Sequence, residues 1–227
     1  MTTAAWDIEL LDTLNGCHTP FADSLMLTLT SGLTWIPLYL ALVYLVIKNN
    51  ETMLQIMLLI VAVALCVAIT AGVNELVVKP MMARPRPSLD PLVCHTLTLV
   101  DNVRGSGYSF FSSHVANTFG IALLMSLVVR SGVLALFLVG WALLNAYTRL
   151  YLGVHYPTDI AAGIIFGAVV ATAVYLAYMW LYLKVSPRLN YISTRYTASG
   201  YALSDVGIVI TVLVLTLLYA VIRATII

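Results

Sequence analysis

The sequence predicts an all-α membrane protein, a polytopic bundle of about six transmembrane helices preceded by an N-terminal interfacial helix. Of its 227 residues, 61% are hydrophobic and only 9% are charged, whereas a soluble domain carries roughly 25% charged residues. Several apolar segments approach the ~20 residues that a helix needs to cross a bilayer. We find no internal repeat or linker, so residues 1–227 are expected to form a single membrane-embedded domain. The net charge of +1 gives no reason to expect a nucleic-acid partner.

The N-terminal segment is acidic and only partly apolar. Residues 1–23 contain no Lys or Arg, so they lack the basic start of a signal peptide. The acids of this segment are Asp7, Glu9, Asp12 and Asp23. Apolar residues interleave with these acids over residues 6–14, and this pattern predicts an interfacial helix rather than a span. The later apolar segments are therefore expected to direct membrane insertion.

Five or six later segments are apolar enough to be spanning helices. Their approximate bounds are 25–47, 53–78, 114–129, 133–150, 159–183 and 202–222. The third is short for a span, although charged or polar residues mark both of its ends. Six spans would place both termini on one side of the membrane, together with residues 80–113 and 151–158.

The distribution of basic residues predicts which side faces the cytoplasm. Setting aside the residues assigned to motifs below, the side of the termini carries Arg84, Arg104 and Arg223. The opposite side carries Lys48, Arg130, Lys184, Arg188 and Arg195. Cytoplasmic loops are enriched in Lys and Arg. The loops on the side of the termini are therefore expected to face outward.

The first candidate motif combines two cations with several prolines and runs Lys-Pro-Met-Met-Ala-Arg-Pro-Arg-Pro from Lys79. The prolines disfavour a helix and are expected to hold the chain extended. Such a segment can fold back and direct Lys79 and Arg86 towards one anion. The alternative is that Lys79 and Arg84 only anchor the chain at the lipid headgroups. Glu75 lies one helical turn before Lys79 and is expected to pair with it.

The second candidate motif is Phe111-Ser112-Ser113-His114 at the start of the third span. Serines are good helix caps, and the free amides of a helix start attract anions. His114 would lie in the first turn beside that anion. The alternative is an ordinary serine cap followed by an incidental histidine.

The third candidate motif contains Arg149, His155 and Asp159. Pro157 suits the first position of a helix, which places Asp159 in the first turn of the fifth span. A carboxylate four residues after a histidine can accept a hydrogen bond from its Nδ1 and leave Nε2 free to attack. The alternative is an Asp helix cap beside an interfacial histidine. Taken together, the three motifs supply groups that can hold and attack a phosphate.

The three cysteines give no metal-binding pattern. Cys66 lies within an apolar run and is expected to be a packing residue. Cys17 and Cys94 flank spans on the same side, so the sequence is compatible with a disulfide or with two free thiols. No spacing of the zinc-binding kind occurs.

The three motifs resemble the signature of the type 2 phosphatidic-acid phosphatase superfamily. That signature runs Lys-x6-Arg-Pro, then Pro-Ser-Gly-His, then Ser-Arg-x5-His-x3-Asp. The matching residues are Lys79, Arg86, Pro87, Ser112, His114, Arg149, His155 and Asp159. Phe111 and Ser113 stand where the family has Pro and Gly, and Thr148 stands where it has Ser. The resemblance covers roughly residues 5–180 and keeps every charged or imidazole group of the signature.

The resemblance implies a two-step phosphate hydrolysis that needs no metal or other cofactor. By similarity, His155 is the nucleophile, Asp159 orients it, and His114 is the general acid. The resemblance also implies that the phosphate is held by Lys79, Arg86, Ser112, Ser113 and Arg149. Fixed cations can neutralise the charge that develops in phosphoryl transfer.

The resemblance also frames the expected substrate and location. The compact architecture looks like the bacterial undecaprenyl-pyrophosphate phosphatases, and this is the preferred expectation. The alternatives are lipid A phosphatases and phosphatidylglycerophosphate or phosphatidate phosphatases, with residues 88–108 selecting the headgroup. A protein of another class, a non-enzymatic lipid binder or a transporter, is the remaining alternative. The expected location is the bacterial inner membrane, with the active site facing the periplasm; the sequence leaves the oligomeric state open.

Overall fold

The computed structural model describes residues 4–186 and 194–226. Within these ranges the chain forms nine α-helices and no β-strand, apart from one isolated bridge. The helices are α1 (Ala5–Asn15), α2 (Pro20–Thr30), α3 (Ile36–Lys48), α4 (Met53–Val73), α5 (Lys79–Met82), α6 (Ser113–Val129), α7 (Gly132–Tyr151), α8 (Pro157–Val185) and α9 (Leu203–Ile226). This confirms the all-α prediction. Arg188, which entered the orientation argument, lies outside the described residues.

Helix α6 forms the centre of the bundle and packs against α4, α7 and α8. Its contact with α8 is close because two glycines of α8 face its backbone. A Cβ atom at Gly167 would lie 2.5 Å from the carbonyl oxygen of Ala116, and one at Gly163 would lie 2.9 Å from that of Ser112. Small residues allow this close approach between membrane helices. On the other side of the bundle, α9 packs against α2 and α3.

The lengths of the helices support a membrane bundle but leave the number of spans a prediction. In the described part of the chain, four helical segments are long and apolar enough to cross a membrane: Met53–Leu89, Gly132–Tyr151, Pro157–Val185 and Leu203–Ile226. A bent helix pair would make a fifth. Helix α6, which corresponds to the third predicted span, has only 17 residues and is shorter than these segments. Large apolar side chains such as Leu176, Trp180 and Leu215 are exposed on the bundle surface, as expected of a lipid-facing surface.

The first predicted span, residues 25–47, is not one continuous helix. The chain bends by 66° between α2 and the helical segment Gly32–Lys48. The hydroxyl group of Thr34 and the indole nitrogen of Trp35 donate to carbonyl groups near the end of α2, at 2.6 and 2.8 Å. These side chains satisfy backbone groups that a broken helix would otherwise leave unpaired in an apolar environment. The apolar pattern of residues 25–47 predicted a spanning segment but did not reveal the bend.

The prediction that the chain becomes extended directly after Lys79 was also wrong. A π-helical turn, Asn74–Val78, follows α4 and leads into the short helix α5. Pro80 lies in the first turn of α5, where a missing N–H is tolerated. Helical structure ends only at Ala83, which has a left-handed conformation with φ 43°. The later predicted spans agree closely with α6 to α9.

The N-terminal helix predicted over residues 6–14 is confirmed as α1, but it is not only an amphipathic surface helix. Its residues Asp7, Leu11 and Asn15 are buried against the bundle. The side-chain amide of Asn15 donates to the carbonyl oxygen of Tyr151 at 2.6 Å. Helix α1 is therefore fastened to the end of the bundle where α7 finishes.

We expect Gly167→Ala to destabilise the protein by about 1–3 kcal/mol, because its methyl group would overlap the backbone of α6 and force the helices apart. The matched control is Gly140→Ala in α7, where no atom of the described residues lies within 4 Å of the added methyl group. The control should be neutral or gain up to ~1 kcal/mol from helix propensity. The measurement is the thermal unfolding midpoint of each variant in detergent. Equal midpoints for both variants would contradict the close-packing argument.

Candidate active site

The residues of the three motifs meet at one end of the bundle. Arg86 lies in the segment after α5, Ser112 and His114 lie at the start of α6, and His155 lies in the turn between α7 and α8. Backbone hydrogen bonds hold these segments together. The amide of Ser112 donates to the carbonyl oxygen of Asp159 at 3.2 Å. The predicted helix start at Pro157 is confirmed, so Asp159 occupies the first turn of α8.

His155 is 2% exposed and lies between Asp159 and Arg86. Its Nδ1 is 3.5 Å from Oδ2 of Asp159 and also 3.5 Å from the hydroxyl group of Ser109. Its Nε2 is 3.3 Å from Nη1 of Arg86. The carboxylate thus lies on the Nδ1 side of the ring, as the spacing predicted. Oδ2 of Asp159 also accepts hydrogen bonds from Ser109 and from the amide of Tyr156.

The environment of His155 favours a neutral imidazole. Burial is the largest cause and lowers the pKa of His155 to about 4. The hydrogen bond to Asp159 acts in the opposite direction, and the charge of Arg86 lowers the pKa further. Because the pKa is lowered, the ring is uncharged at neutral pH and Nε2 keeps its lone pair. A neutral buried histidine also makes folding less favourable as the pH falls from its unfolded pKa of about 6.5.

Arg86 is held by the backbone of a neighbouring loop. Its guanidinium donates to the carbonyl oxygens of Ser106 at 2.8 and 3.0 Å, of Gly107 at 3.2 Å and of Val154 at 3.0 Å. Gly105 lies directly over this group, since a Cβ atom there would be 2.2 Å from Nη1 of Arg86. Part of the loop expected to select the headgroup therefore positions a cation of the site.

Two buried donors at the site lack a partner among the described residues. Nη1 of Arg149 donates to the hydroxyl group of Thr30 at 2.5 Å, but its Nε has no hydrogen-bond partner. The hydroxyl group of Ser112 is also buried without a partner. Ser112 occupies the cap position of α6, as predicted, but its side chain forms no capping hydrogen bond. Unpaired buried donors are costly in a folded protein, and an anionic ligand would satisfy them.

His114 contacts a polar residue that the sequence analysis missed. Its Nε2 is 3.4 Å from Oδ1 of Asn145 in α7. The amide nitrogen of Asn145 donates to the carbonyl oxygen of Trp141 at 2.9 Å, which directs the amide oxygen towards the histidine. Asn145 lies one helical turn before Arg149, and this polar residue within an apolar helix was the available signal.

Lys79 is paired within the protein. Its ammonium group is 2.5 Å from Oε1 of Glu75, which confirms the predicted pair. The same carboxylate oxygen accepts from the hydroxyl group of Ser113 at 2.8 Å. Ser113 in turn accepts from the amide of Asn74 at 2.6 Å. Ser113 therefore links the start of α6 to the π-helical turn beneath Lys79.

Arg84 and Asp7 also belong to the environment of the site, although the sequence analysis did not place them there. Arg84 was considered only as a headgroup anchor, yet it is 6% exposed and forms ion pairs with Asp7 and Asp159. The repeated Arg-Pro of the first motif was a weak signal for Arg84. Nothing in the N-terminal segment distinguished Asp7 from its acidic neighbours.

The loop 88–108 divides into buried and exposed polar residues. Asp90 is buried and accepts a hydrogen bond from the hydroxyl group of Tyr156 at 2.9 Å, so it supports the fold. His95, Asp101 and Arg104 are exposed. The described residues contain no group of three or more His, Cys, Asp or Glu side chains that could hold a metal ion. Cys17, Cys66 and Cys94 are free thiols in the structure.

Comparison with known proteins identifies the family. Residues 55–183 match the PAP2 superfamily. The chain belongs to the PAP2 superfamily, the type 2 phosphatidic-acid phosphatases. A lipid A 4′-phosphatase of Bacteroides thetaiotaomicron is 37% identical over 162 residues, which cover 71% of this chain and 72% of that protein. A lipid A 4′-phosphatase of Porphyromonas gingivalis is 31% identical over 172 residues, covering 76% and 72%.

Solved structures show the same fold. The crystal structure of Aquifex aeolicus LpxE aligns with a TM-score of 0.56 at 25% identity and covers 75% of this chain and 95% of that one. A phosphatidylglycerolphosphate phosphatase of the PAP2 type from Bacillus subtilis aligns with a TM-score of 0.58 at 19% identity, covering 81% and 87%. The family resemblance drawn from the motifs is thus confirmed. The protein is a multi-pass membrane enzyme that hydrolyses a lipid phosphate.

We expect Gly105→Ala to fold normally but to lose most of its activity. The added methyl group would displace the guanidinium of Arg86 from its backbone carbonyl partners. A displacement of ~1 Å near reacting groups can cost about 100-fold in rate. The measurement is kcat/KM for lipid phosphate hydrolysis, with Gly32→Ala as the control because no atom lies within 4 Å of its added methyl group. Activity of Gly105→Ala within twofold of the control would contradict the assigned role of the loop.

Proposed function

We propose that this enzyme removes the 4′-phosphate of lipid A through a phosphohistidine at His155. The observation that carries the choice of substrate is the similarity to two lipid A 4′-phosphatases, at 37% and 31% identity over more than two thirds of each protein. These relatives favour the lipid A alternative over the preferred expectation from sequence, undecaprenyl pyrophosphate. The geometry around His155 supports the proposed chemistry.

In the first step, the lone pair on Nε2 of His155 attacks phosphorus. The phosphorus–oxygen bond to the lipid breaks as the nitrogen–phosphorus bond forms. Asp159, on the Nδ1 side at 3.5 Å, stabilises the positive charge that the ring gains. His114 gives a proton to the leaving oxygen, and its Nε2 is 3.4 Å from the amide oxygen of Asn145. Acid–base help of this kind is worth typically 10²–10⁴-fold.

In the second step, water attacks the phosphohistidine. His114, now neutral, removes a proton from that water molecule as its oxygen bonds to phosphorus. The nitrogen–phosphorus bond breaks, and its electron pair returns to Nε2 of His155. Inorganic phosphate leaves, and both histidines regain their starting protonation states.

The cations of the site are not equally available to a phosphate. Lys79 already pairs with Glu75, whereas Arg86 and Arg149 have no carboxylate in direct contact among the described residues. We assign the first contacts with phosphate to these two arginines. Within the described part of the chain, Nε of Arg149 also has no partner, so it can donate to the anion. A phosphate oxygen that takes over the Arg86 donor would also release Nε2 of His155. Ser112 adds its unpaired hydroxyl group, and Lys79 and Ser113 complete the pocket.

The proposal includes a location in the bacterial inner membrane with the site facing the periplasm. The excess of basic residues on the opposite side supports this orientation. The site lies where α8 begins, and the 29 residues of α8 place Ser186 about 44 Å away along the helix. The two ends of the bundle are thus separated by the thickness of a membrane.

We expect purified enzyme in EDTA to release phosphate from lipid A faster than from undecaprenyl pyrophosphate, phosphatidylglycerophosphate or phosphatidic acid.

His155→Ala should lower the rate by at least ~10³-fold, because no other group replaces the nucleophile. His114→Ala should lower it by about 10²–10⁴-fold and still allow a phosphohistidine to form with good leaving groups. Preference for another lipid would overturn the substrate, and an active His155→Ala would overturn the nucleophile. Activity lost in EDTA and restored by a divalent ion would overturn the metal-independent chemistry.

We expect a membrane-impermeant thiol reagent to label the site end of the bundle in intact cells. Cys17 is exposed and Cys94 is half-buried in this region, so labelling should depend on these two thiols. In a Cys17→Ser, Cys94→Ser background, Ser186→Cys should remain unlabelled until the cells are opened. Cys66 is buried and serves as the unreactive reference. The reverse pattern would show that the site faces the cytoplasm.

A further inference from the structure

Arg84 lies behind the carboxylate of Asp159, on the side away from His155. Its Nη1 donates to Oδ1 of Asp159 at 2.7 Å and to the hydroxyl group of Thr158 at 2.7 Å. The guanidinium carbon also lies 3.9 Å from the centre of the Tyr156 ring. Every one of these contacts is with the start of α8 or the residue before it. Arg84 therefore binds the element that carries Asp159, and none of these contacts is with the groups assigned to the phosphate.

Asp7 of α1 completes this arrangement from the other side of Arg84. Its Oδ2 accepts from Nη2 of Arg84 at 2.6 Å and from the hydroxyl group of Thr158 at 2.6 Å. Its Oδ1 accepts from the amide of Thr158 at 3.0 Å. Asp7 is 1% exposed and Asp159 is 0% exposed. One guanidinium thus joins two fully buried carboxylates from different helices.

The two carboxylate oxygens of Asp159 have different hydrogen-bond partners. Oδ1 faces Arg84, while Oδ2 faces Ser109, the Tyr156 amide and Nδ1 of His155. A buried carboxylate stays ionised only when charge and hydrogen bonds compensate for lost water. The planar fork of Arg84 supplies that charge and also fixes the plane of the carboxylate. Asp7 fixes the guanidinium itself, because it binds the second arm of the fork.

We propose that Asp7 and Arg84 are positioning residues for the reaction, so that helix α1 contributes to the active site through Asp7. They act through Asp159 on the orientation of His155 and do not touch the phosphate. This inference rests on the proposed role of His155 as the nucleophile. Asp7 lies outside residues 55–183, the range that matches the family, so the contribution of α1 is additional to the family signature.

A purely structural role for the pair predicts a different outcome. If Asp7 only fastened α1 to the bundle, its loss would lower stability and leave the turnover of folded enzyme unchanged. If it positions Asp159, its loss slows the attack by His155 and leaves substrate binding unchanged. The division of an effect between kcat and KM therefore separates the two roles.

The experiment measures formation of phosphohistidine in a single turnover, with lipid A carrying a ³²P-labelled 4′-phosphate. The variants are Asp7→Asn and Arg84→Lys, and the control is Glu9→Gln, which removes an exposed acid from the same helix. Lysine cannot bridge two carboxylates as the guanidinium does. We expect Asp7→Asn and Arg84→Lys to slow this step by about 10- to 100-fold, the range found for partners that orient a metal-bound histidine. KM and the inhibition constant of inorganic phosphate should stay within about twofold, and Glu9→Gln should match the unmodified enzyme.

Two further variants keep the test decisive. Thr158→Val preserves side-chain shape but removes the hydroxyl group shared by Asp7 and Arg84, so it should slow the same step about threefold even if Asp7→Asn folds poorly. The double variant Asp7→Asn, Arg84→Lys should be no slower than the worse single variant, because the two residues act as one unit.

The possible outcomes separate this inference from the function it rests on. Slower phosphohistidine formation with unchanged KM supports the positioning role. Unchanged rates in Asp7→Asn, or an effect confined to KM or to the amount of folded protein, would overturn it and leave the proposed function standing. A labelled adduct that forms in the unmodified enzyme and is lost in His155→Ala is the result expected if the proposed function holds. If the unmodified enzyme forms no phosphohistidine, both the proposed function and this inference are overturned.

Discussion

The close contact between α6 and α8 is the constraint on which the site depends. Gly163 and Gly167 let the two helix backbones touch, and the amide of Ser112 consequently reaches the carbonyl oxygen of Asp159. This single contact brings the start of α6, which carries His114, beside the start of α8. A larger residue at either glycine would move the start of α6, with His114, away from the start of α8 before it altered any charged group.

Charge balance explains how so many ionisable groups are buried in an apolar bundle. Burying an unpaired charge is costly, and pairing reduces that cost. Lys79 pairs with Glu75, and Arg84 pairs with two carboxylates. Among the described residues, Arg86 contacts mainly carbonyl oxygens, and Arg149 donates to one hydroxyl group while its Nε has no partner. Carboxylates thus neutralise Lys79 and Arg84, and the proposed function assigns the phosphate to the other two arginines.

The sequence was sufficient for the fold class, the later helices and the three motifs that the structure brings together, because apolar length and motif spacing are local properties. It missed the bend after α2, since hydrogen bonds from side chains further along the chain make that bend possible. It also missed Asp7 and Asn145, whose roles depend on contacts between distant helices. It did not distinguish among lipid substrates, because the loop 88–108 carries no local pattern for a headgroup. Tertiary contacts of this kind have no period or spacing in the sequence.

The position of the site at the end of a bundle of membrane helices has a consequence for the direction of the reaction. A lipid can reach it by lateral diffusion within a two-dimensional phase, with its tails still surrounded by hydrocarbon. After hydrolysis, the lipid stays in that phase while phosphate enters the aqueous volume and is diluted. The two products no longer share a compartment, so recombination requires a three-dimensional search by the phosphate. Dilution of the phosphate therefore disfavours the reverse reaction by mass action.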